Sequence, residues 1–302
     1  MSGPAGGGRS GPAGGRSGGA GGGPSGPAGG RSGALRGVPV RDALDSALVA
    51  LRAAGVDTPR LDAEVLLAHA LGVDRSALVI DPAREVAGPA ARWFQDAVRR
   101  RAVEREPVAY IVGRKGFRHL ELEVDPRVLI PRPETELLVE AGLELPDGAR
   151  VVDVGTGSGA VALALKHERP DLVVTGTDAS AAALEVARAN GERLGLDVEW
   201  RQCDLFDGDF HAVLSNPPYV EEGARLEPEL AHEPRDALFA GPDGLDTMRR
   251  LVGRAKNVET LALEVGAGQA DAVAELCRAA GFTTVAKRRD LAGVERVVVA
   301  RR

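Results

Sequence analysis

The chain has 302 residues, a formal net charge of −6 and only two cysteines, and much of its glycine crowds the first 37 positions. No apolar stretch reaches transmembrane length, and none before Val38 is long enough for a signal-peptide core, so a soluble, cytoplasmic protein without membrane contact is expected. Residues 1–37 carry Arg9, Arg16, Arg31 and Arg36 and no acid, which makes this segment +4 and the remainder −10; an acidic body argues against broad binding to nucleic-acid backbones.

Ser-Gly-Pro-Ala-Gly-Gly occurs three times in the tail, from Ser2, Ser10 and Ser25. Glycine-rich repeats cannot bury a core, so residues 1–37 are expected to be disordered, and their composition fits either a tether or an over-extended gene start. From Arg41 to about Arg105 the apolar residues recur at three and four: Ala43, Leu44, Ala47, Leu48 and Leu51, then Leu61, Val65, Leu66 and Ala68 after Thr58-Pro59. That spacing predicts a bundle of about four helices over residues 38–106. Gly116 to Val124 alternates in its second half, and with Val128-Leu129-Ile130 and the rigid Pro131-Arg132-Pro133 it predicts a β-hairpin linker over residues 107–136.

Residues 137–302 make up the last predicted domain, and from Arg150 onward strands and helices alternate. Strands are predicted at Val151–Val154, Leu172–Thr177, Val198–Cys203, Phe210–Ser215 and Leu261–Val265, with helices from Gly159, over Ser180–Leu194, near Leu245–Lys256 and over Gln269–Ala280. The last two runs, Thr283–Lys287 and Arg296–Ala300, have no helix between them. The pattern implies an α/β fold with a doubly wound, mostly parallel sheet and one antiparallel strand.

Asp153-Val154-Gly155-Thr156-Gly157-Ser158-Gly159 closes the first of these strands and opens the first helix, where glycines allow a ligand close to backbone amides. The third glycine comes one residue too early for the dinucleotide pattern. Asp178 ends the second strand and offers a carboxylate to the hydroxyls of a ribose; as a plain alternative it caps the following helix. Asp204 ends the third strand and could accept from an adenine amino group. Cys203 and Cys277 lack metal-ligand spacing, so both read as ordinary thiols and no metal is expected.

The most informative stretch is Asn216-Pro217-Pro218-Tyr219, just past the apolar run Ala212-Val213-Leu214-Ser215. Two prolines remove two N–H donors and stiffen the turn, and the residue before a proline is held extended. What remains is a set of acceptors, the Asn216 side chain and the Pro217 carbonyl, with a flat ring at Tyr219. Such a site suits a planar, poorly nucleophilic NH2 group.

The glycine loop, Asp178 and the Asn-Pro-Pro-Tyr box together resemble the Rossmann-like, class I methyltransferases that use S-adenosyl-L-methionine. The box serves both adenine and glutamine acceptors, and flanking sequence separates them. Glu106-Pro107-Val108-Ala109-Tyr110-Ile111-Val112-Gly113, Phe117 and Ile130-Pro131-Arg132-Pro133-Glu134-Thr135-Glu136-Leu137 resemble the peptide chain release factor N(5)-glutamine methyltransferase family. Glu233-Pro234, Ala237-Leu238, Gly241, Asp243-Gly244-Leu245 and Asp290-Leu291-Ala292-Gly293 extend the likeness over nearly the whole chain except the tail.

The resemblance implies methyl transfer to the glutamine of the Gly-Gly-Gln loop in class 1 release factors, with the helical region helping to hold that protein. It implies that Gly155, Thr156, Gly157, Ser158 and Gly159 meet the methionine part, Asp178 the ribose and Leu205 the adenine surroundings, and that Asn216 touches both ligands. Asn216, Pro217, Pro218 and Tyr219 would hold the substrate amide, with Asn216, Pro217 and Tyr219 acting in transfer. Two departures stand out: Leu205 occupies a place where related proteins can have tryptophan, and Phe117-Arg118-His119 keeps only the first residue of an aromatic–aromatic–glycine pattern. Arg132 and Glu134 would either close the cofactor pocket or form salt bridges between domains, whereas Arg114, Lys115 and His119 fit a solvated hairpin. Rival readings are a glutamine methyltransferase of a ribosomal protein, an adenine methyltransferase, and a non-catalytic binding module.

Overall fold

The computed structural model describes Gly3 and residues 37–302; the rest of the expected tail lies outside the described residues. Arg36–Arg302 forms one compact unit. It opens with β1 (Val38–Pro39), α1 (Val40–Ala53), α2 (Pro59–Leu71), α3 (Arg75–Ile80), β2 (Glu85–Val86) and α4 (Gly88–Arg99). α4 runs into a π-helical turn, Arg100–Glu104, and α5 (Val108–Val112) follows. Val40, Ala43, Ala47 and Leu51 line the buried face of α1 at the expected spacing and meet Leu66 and Leu67 of α2 and Phe94 of α4 in a separate core. Pairing of β1 with β2 was not expected; Val86 is buried there against the helices.

The linker hairpin is β3 (Arg114–Phe117) with β4 (Leu120–Glu123), paired antiparallel. Leu120 and Leu122 point into the core while Glu121 and Glu123 face solvent, so the alternation in sequence is the alternation of faces. Arg118, in the departing triplet, takes a left-handed φ of 48° at the turn and ion-pairs Glu168. The residue that breaks the aromatic pattern therefore ties the hairpin to the surface around Glu168.

After α6 (Glu136–Leu143), a helix the periodicity did not reveal, come β5 (Arg150–Val154), α7 (Ala160–Glu168), β6 (Val173–Asp178), α8 (Ala181–Leu194), β7 (Glu199–Gln202) and β8 (Ala212–Ser215). The chain ends with α9 (Asp246–Arg254), β9 (Thr260–Glu264), α10 (Ala270–Ala279), β10 (Thr284–Arg289) and β11 (Glu295–Arg301). One seven-stranded sheet has the order β10-β11-β9-β8-β5-β6-β7. Only β11 runs against its neighbours, β9 and β10, as the missing helix between the last two strands required. Two hydrophobic clusters cover the two faces of the sheet, which is why β5, β8 and β9 are apolar almost throughout. The order reverses at β5 and β8, and the loops that leave their carboxyl ends open a crevice there. Among the described residues, no helix is long and apolar enough to cross a membrane.

Candidate functional site

A cavity of about 550 Å³ occupies that crevice. Gly155 and Gly157 of the loop after β5, Asp178 at the end of β6, Asp204 and Leu205 after β7, and Asn216, Pro217 and Pro218 after β8 all reach it. Thr156, Ser158 and Gly159 do not line it and brace the loop from behind. The Thr156 hydroxyl donates to Asp153 at 2.6 Å, the Ser158 carbonyl accepts from Asn190 at 3.0 Å, and Gly159, at φ 84°, starts α7 where a Cβ would collide with Leu163 and Trp200. Burial pushes the Asp153 carboxyl up to about 6, opposed by the Thr156 hydroxyl and the Ala162 amide that it accepts from.

Asp178 faces the cavity and also braces its wall. Its Oδ1 accepts from the Ser180 amide at 2.9 Å and its Oδ2 from the Gly157 amide at 3.0 Å, so it ties the glycine loop to the start of α8 while still facing the cavity. Each oxygen keeps a lone pair for a ligand hydroxyl. Burial raises its pKa, and those backbone donors pull the other way. Ser180, not Asp178, caps α8, accepting from Ala183 at 3.2 Å.

Asp204 sits at the rim with its carboxylate ion-paired to Arg250 of α9, so an adenine amino group would compete with that arginine for it. Leu205 adopts a left-handed φ of 66°, an uncommon choice for a branched side chain, and its carbonyl accepts from the Thr177 hydroxyl at 2.6 Å. Its side chain packs on the sheet core and borders the cavity, so the place where tryptophan can stand offers an aliphatic surface.

The Asn216 Nδ2 donates to Thr135 Oγ1 at 3.2 Å, while its Oδ1 is buried with no hydrogen-bond partner. A buried amide oxygen left without a donor costs on the order of 1–3 kcal/mol, so its location marks where a donor from a ligand belongs. Tyr219 faces the other way, into a second cavity of about 800 Å³ that shares Leu129 and Ala237 with the first. The Asn-Pro-Pro-Tyr turn is thus a wall between two chambers.

This second chamber is lined largely by charged side chains. Arg132 and Glu134 line it and not the first cavity; Arg132 ion-pairs the buried Glu233, which also accepts from the Ile130 amide at 3.1 Å. Lys115 is half-buried here, its pKa lowered by burial and by Arg132, whereas Arg114 pairs with Glu121 across the hairpin and His119 is exposed. Glu264, the last residue of β9, is 2 % exposed and one of its carboxylate oxygens lacks a partner. Burial pushes it up to about 7, against a hydrogen bond from Thr135. The signal for it in the sequence was a carboxylate inside the apolar run Leu261–Val265.

A cavity of this size, with an acid at the β6 end, glycines along one side and an orphaned amide oxygen at its inner wall, fits S-adenosyl-L-methionine. The family model described as PrmC N-terminal domain matches residues 42–113, and the Methyltransferase small domain model matches residues 133–241. The chain is 42% identical over 261 residues to the release factor glutamine methyltransferase of Coxiella burnetii, covering 81% of this chain and 92% of that protein. It is 43% identical over 281 residues to the one of Mycolicibacterium smegmatis, covering 87% and 98%. Among solved structures it is similar to the release factor-specific protein-(glutamine-N5) methyltransferase of Alicyclobacillus acidocaldarius, at 34% identity and a TM-score of 0.37, covering 60% of this chain and 99% of that one.

Proposed function

The chain belongs to the release factor glutamine methyltransferase family, and we propose that it transfers a methyl group from S-adenosyl-L-methionine to the side-chain amide nitrogen of the glutamine in the Gly-Gly-Gln loop of bacterial class 1 release factors. The observation that carries the chemistry is the buried, unpartnered Asn216 Oδ1 on the wall between the two chambers. The 550 Å³ cavity takes the methyl donor, and the 800 Å³ cavity, bordered by Thr58 and Arg101 of the helical region, takes the protein segment that carries the glutamine.

A carboxamide nitrogen is a weak nucleophile because its lone pair is spread into the carbonyl. Bound S-adenosyl-L-methionine supplies an electrophilic sulfonium methyl. Asn216 Oδ1 and the Pro217 carbonyl each accept one N–H of the glutamine, which turns the out-of-plane face of its nitrogen toward the first chamber. Placement of this kind lowers a barrier by several kcal/mol, and the same acceptors stabilise positive charge developing on nitrogen. Tyr219 supplies a flat wall in the second chamber, its backbone pinned by Leu238 and Gln269. The nitrogen loses its proton after transfer, so no strong base is needed beforehand.

In the cofactor cavity, Gly155 and Gly157 lie along the methionine part, Asp178 accepts from the ribose, and Leu205 packs beside the adenine. The helical residues 38–106 and the linker hold the release factor, and no nucleic acid is needed as a direct partner. Incubation with purified release factor and methyl-labelled cofactor, followed by mass spectrometry, should place the label on the Gly-Gly-Gln glutamine. Label on a ribosomal protein or on nucleic acid instead would overturn the assignment.

A further inference from the structure

Among the described residues, the buried side-chain atoms left without a hydrogen-bond partner are Asn216 Oδ1 and Glu264 Oε2, and they belong to adjacent strand ends. Ser215 pairs with Leu263 in the parallel register of β8 and β9, so Asn216 and Glu264 are the next residue of each chain segment at the carboxyl edge. Neighbouring strands lie about 4.8 Å apart, a distance comparable to the length of a glutamine side chain. Asn216 borders the first cavity and Glu264 the second. The loop after β9 stays close to the acceptor wall: a Cβ on Gly266 would lie 3.2 Å from Tyr219 Cδ2.

Packing does not call for a carboxyl group at this place. Thr260, Leu261, Ala262 and Leu263 of β9 are buried like Glu264, and an apolar residue would continue that run. Nor does a cation hold it. Arg101, Arg132 and Arg296, which line the same chamber, are engaged elsewhere, by Glu229, Glu233 and Asp290. A polar atom that is 2 % exposed as part of its residue, borders a cavity and lacks a partner within the chain is placed for a partner from outside it.

We propose that Glu264 is a second acceptor for the substrate: its Oε2 takes a main-chain N–H of the Gly-Gly-Gln segment, one strand spacing behind the carboxamide that Asn216 receives. This rests on the substrate reading given above. A carboxyl group keeps an oxygen able to accept whether or not it carries a proton, so the role holds in either state. Glycine suits the site, because a backbone without a Cβ can approach a recessed oxygen. The chamber thereby selects a glutamine flanked by glycine over a bare amide.

Two measurements test this. With isotope-labelled release factor, and S-adenosyl-L-homocysteine in place of the methyl donor, one main-chain amide proton of the Gly-Gly-Gln segment should move downfield on binding the wild-type protein and not on binding Glu264→Leu. A wild-type complex in which no amide of the segment moves would overturn the proposal without any variant. In methylation assays, Glu264→Leu should raise KM for the release factor by roughly tenfold or more with calorimetric affinity for S-adenosyl-L-methionine unchanged, and Glu264→Gln, which keeps an acceptor oxygen, should recover most of the loss. Leucine with the wild-type KM would overturn the proposal, and so would glutamine as impaired as leucine, since charge and not an accepting oxygen would then be at work. If the wild-type protein left the release factor unmethylated, the substrate reading would fall and this inference with it; methylation indifferent to both Glu264 variants would overturn this inference alone.

Discussion

At the scale of single residues, Asn216 and Asp178 face one cavity with different tasks, and the difference is measurable. Asn216→Ala removes the orphaned acceptor and leaves the glycine loop and Asp178 intact. Methyl transfer to the release factor should be abolished while calorimetry still detects the cofactor; full methylation at the wild-type rate by mass spectrometry would reject the role. Asp178→Ala should raise the cofactor dissociation constant by about tenfold or more, because it loses both the proposed ribose acceptor and the clasp on Gly157 and Ser180. Unchanged affinity would rule that out. Both residues were legible in the sequence, since each ends an apolar run with a polar side chain at a strand terminus. Thr135 was not singled out within its motif, because nothing local says which neighbour a threonine hydroxyl will meet.

At the scale of elements, the loop between β8 and α9 is held in shape by close backbone packing. Gly244 has φ +71°, and a Cβ there would run into the Tyr219 carbonyl oxygen, which Gln269 Nε2 also holds at 3.0 Å. Gly244→Ala combines left-handed strain with overpacking and should cost about 1–3 kcal/mol of stability. It should also raise KM for the release factor more than the cofactor dissociation constant, because Tyr219 belongs to the second chamber. A variant with wild-type melting temperature and kinetics would show that the loop yields without consequence. The strands and the helices on the sheet were readable from periodicity to within a few residues, while α6 and the β1–β2 pair were not. α6 is buried on Leu138, Val139, Ala141 and Gly142, nearly all round at its centre, so it lacks a clear polar stripe.

At the scale of the whole molecule, two buried carboxyls make folding depend on pH. Glu264 is raised from an ordinary 4.5 to about 7 and Asp153 from 3.8 to about 6, both chiefly by burial. Each binds its proton more tightly in the folded state, so the stability it contributes is complete below its ordinary value and is lost as pH rises through the folded one. For Glu264 this amounts to about 3 kcal/mol. Glu264→Gln should therefore melt close to wild type near pH 4 and above it near pH 8; parallel melting curves across that range would contradict the raised value. The helical region is joined to the same unit by charge: Arg101 and Arg105 both bond Glu229 of the loop after β8, at 2.7 and 2.6 Å, and Arg101 also bonds the buried Asp62. Partners 124 and 128 residues apart in sequence leave no trace in any local pattern.

The order of elements, the lone antiparallel strand, the glycine loop, Asp178 and the Asn-Pro-Pro-Tyr turn were determined by the sequence itself, because period, turn chemistry and strand-end position are local properties of a chain. Only the tertiary structure decided that Thr156, Ser158 and Gly159 brace the loop from behind, that Arg132 and Glu134 border the second chamber, and that Asn216 and Glu264 follow paired residues of neighbouring strands. Those facts follow from which strands become neighbours and how far each side chain is taken out of water, and both are set by packing between segments distant in sequence.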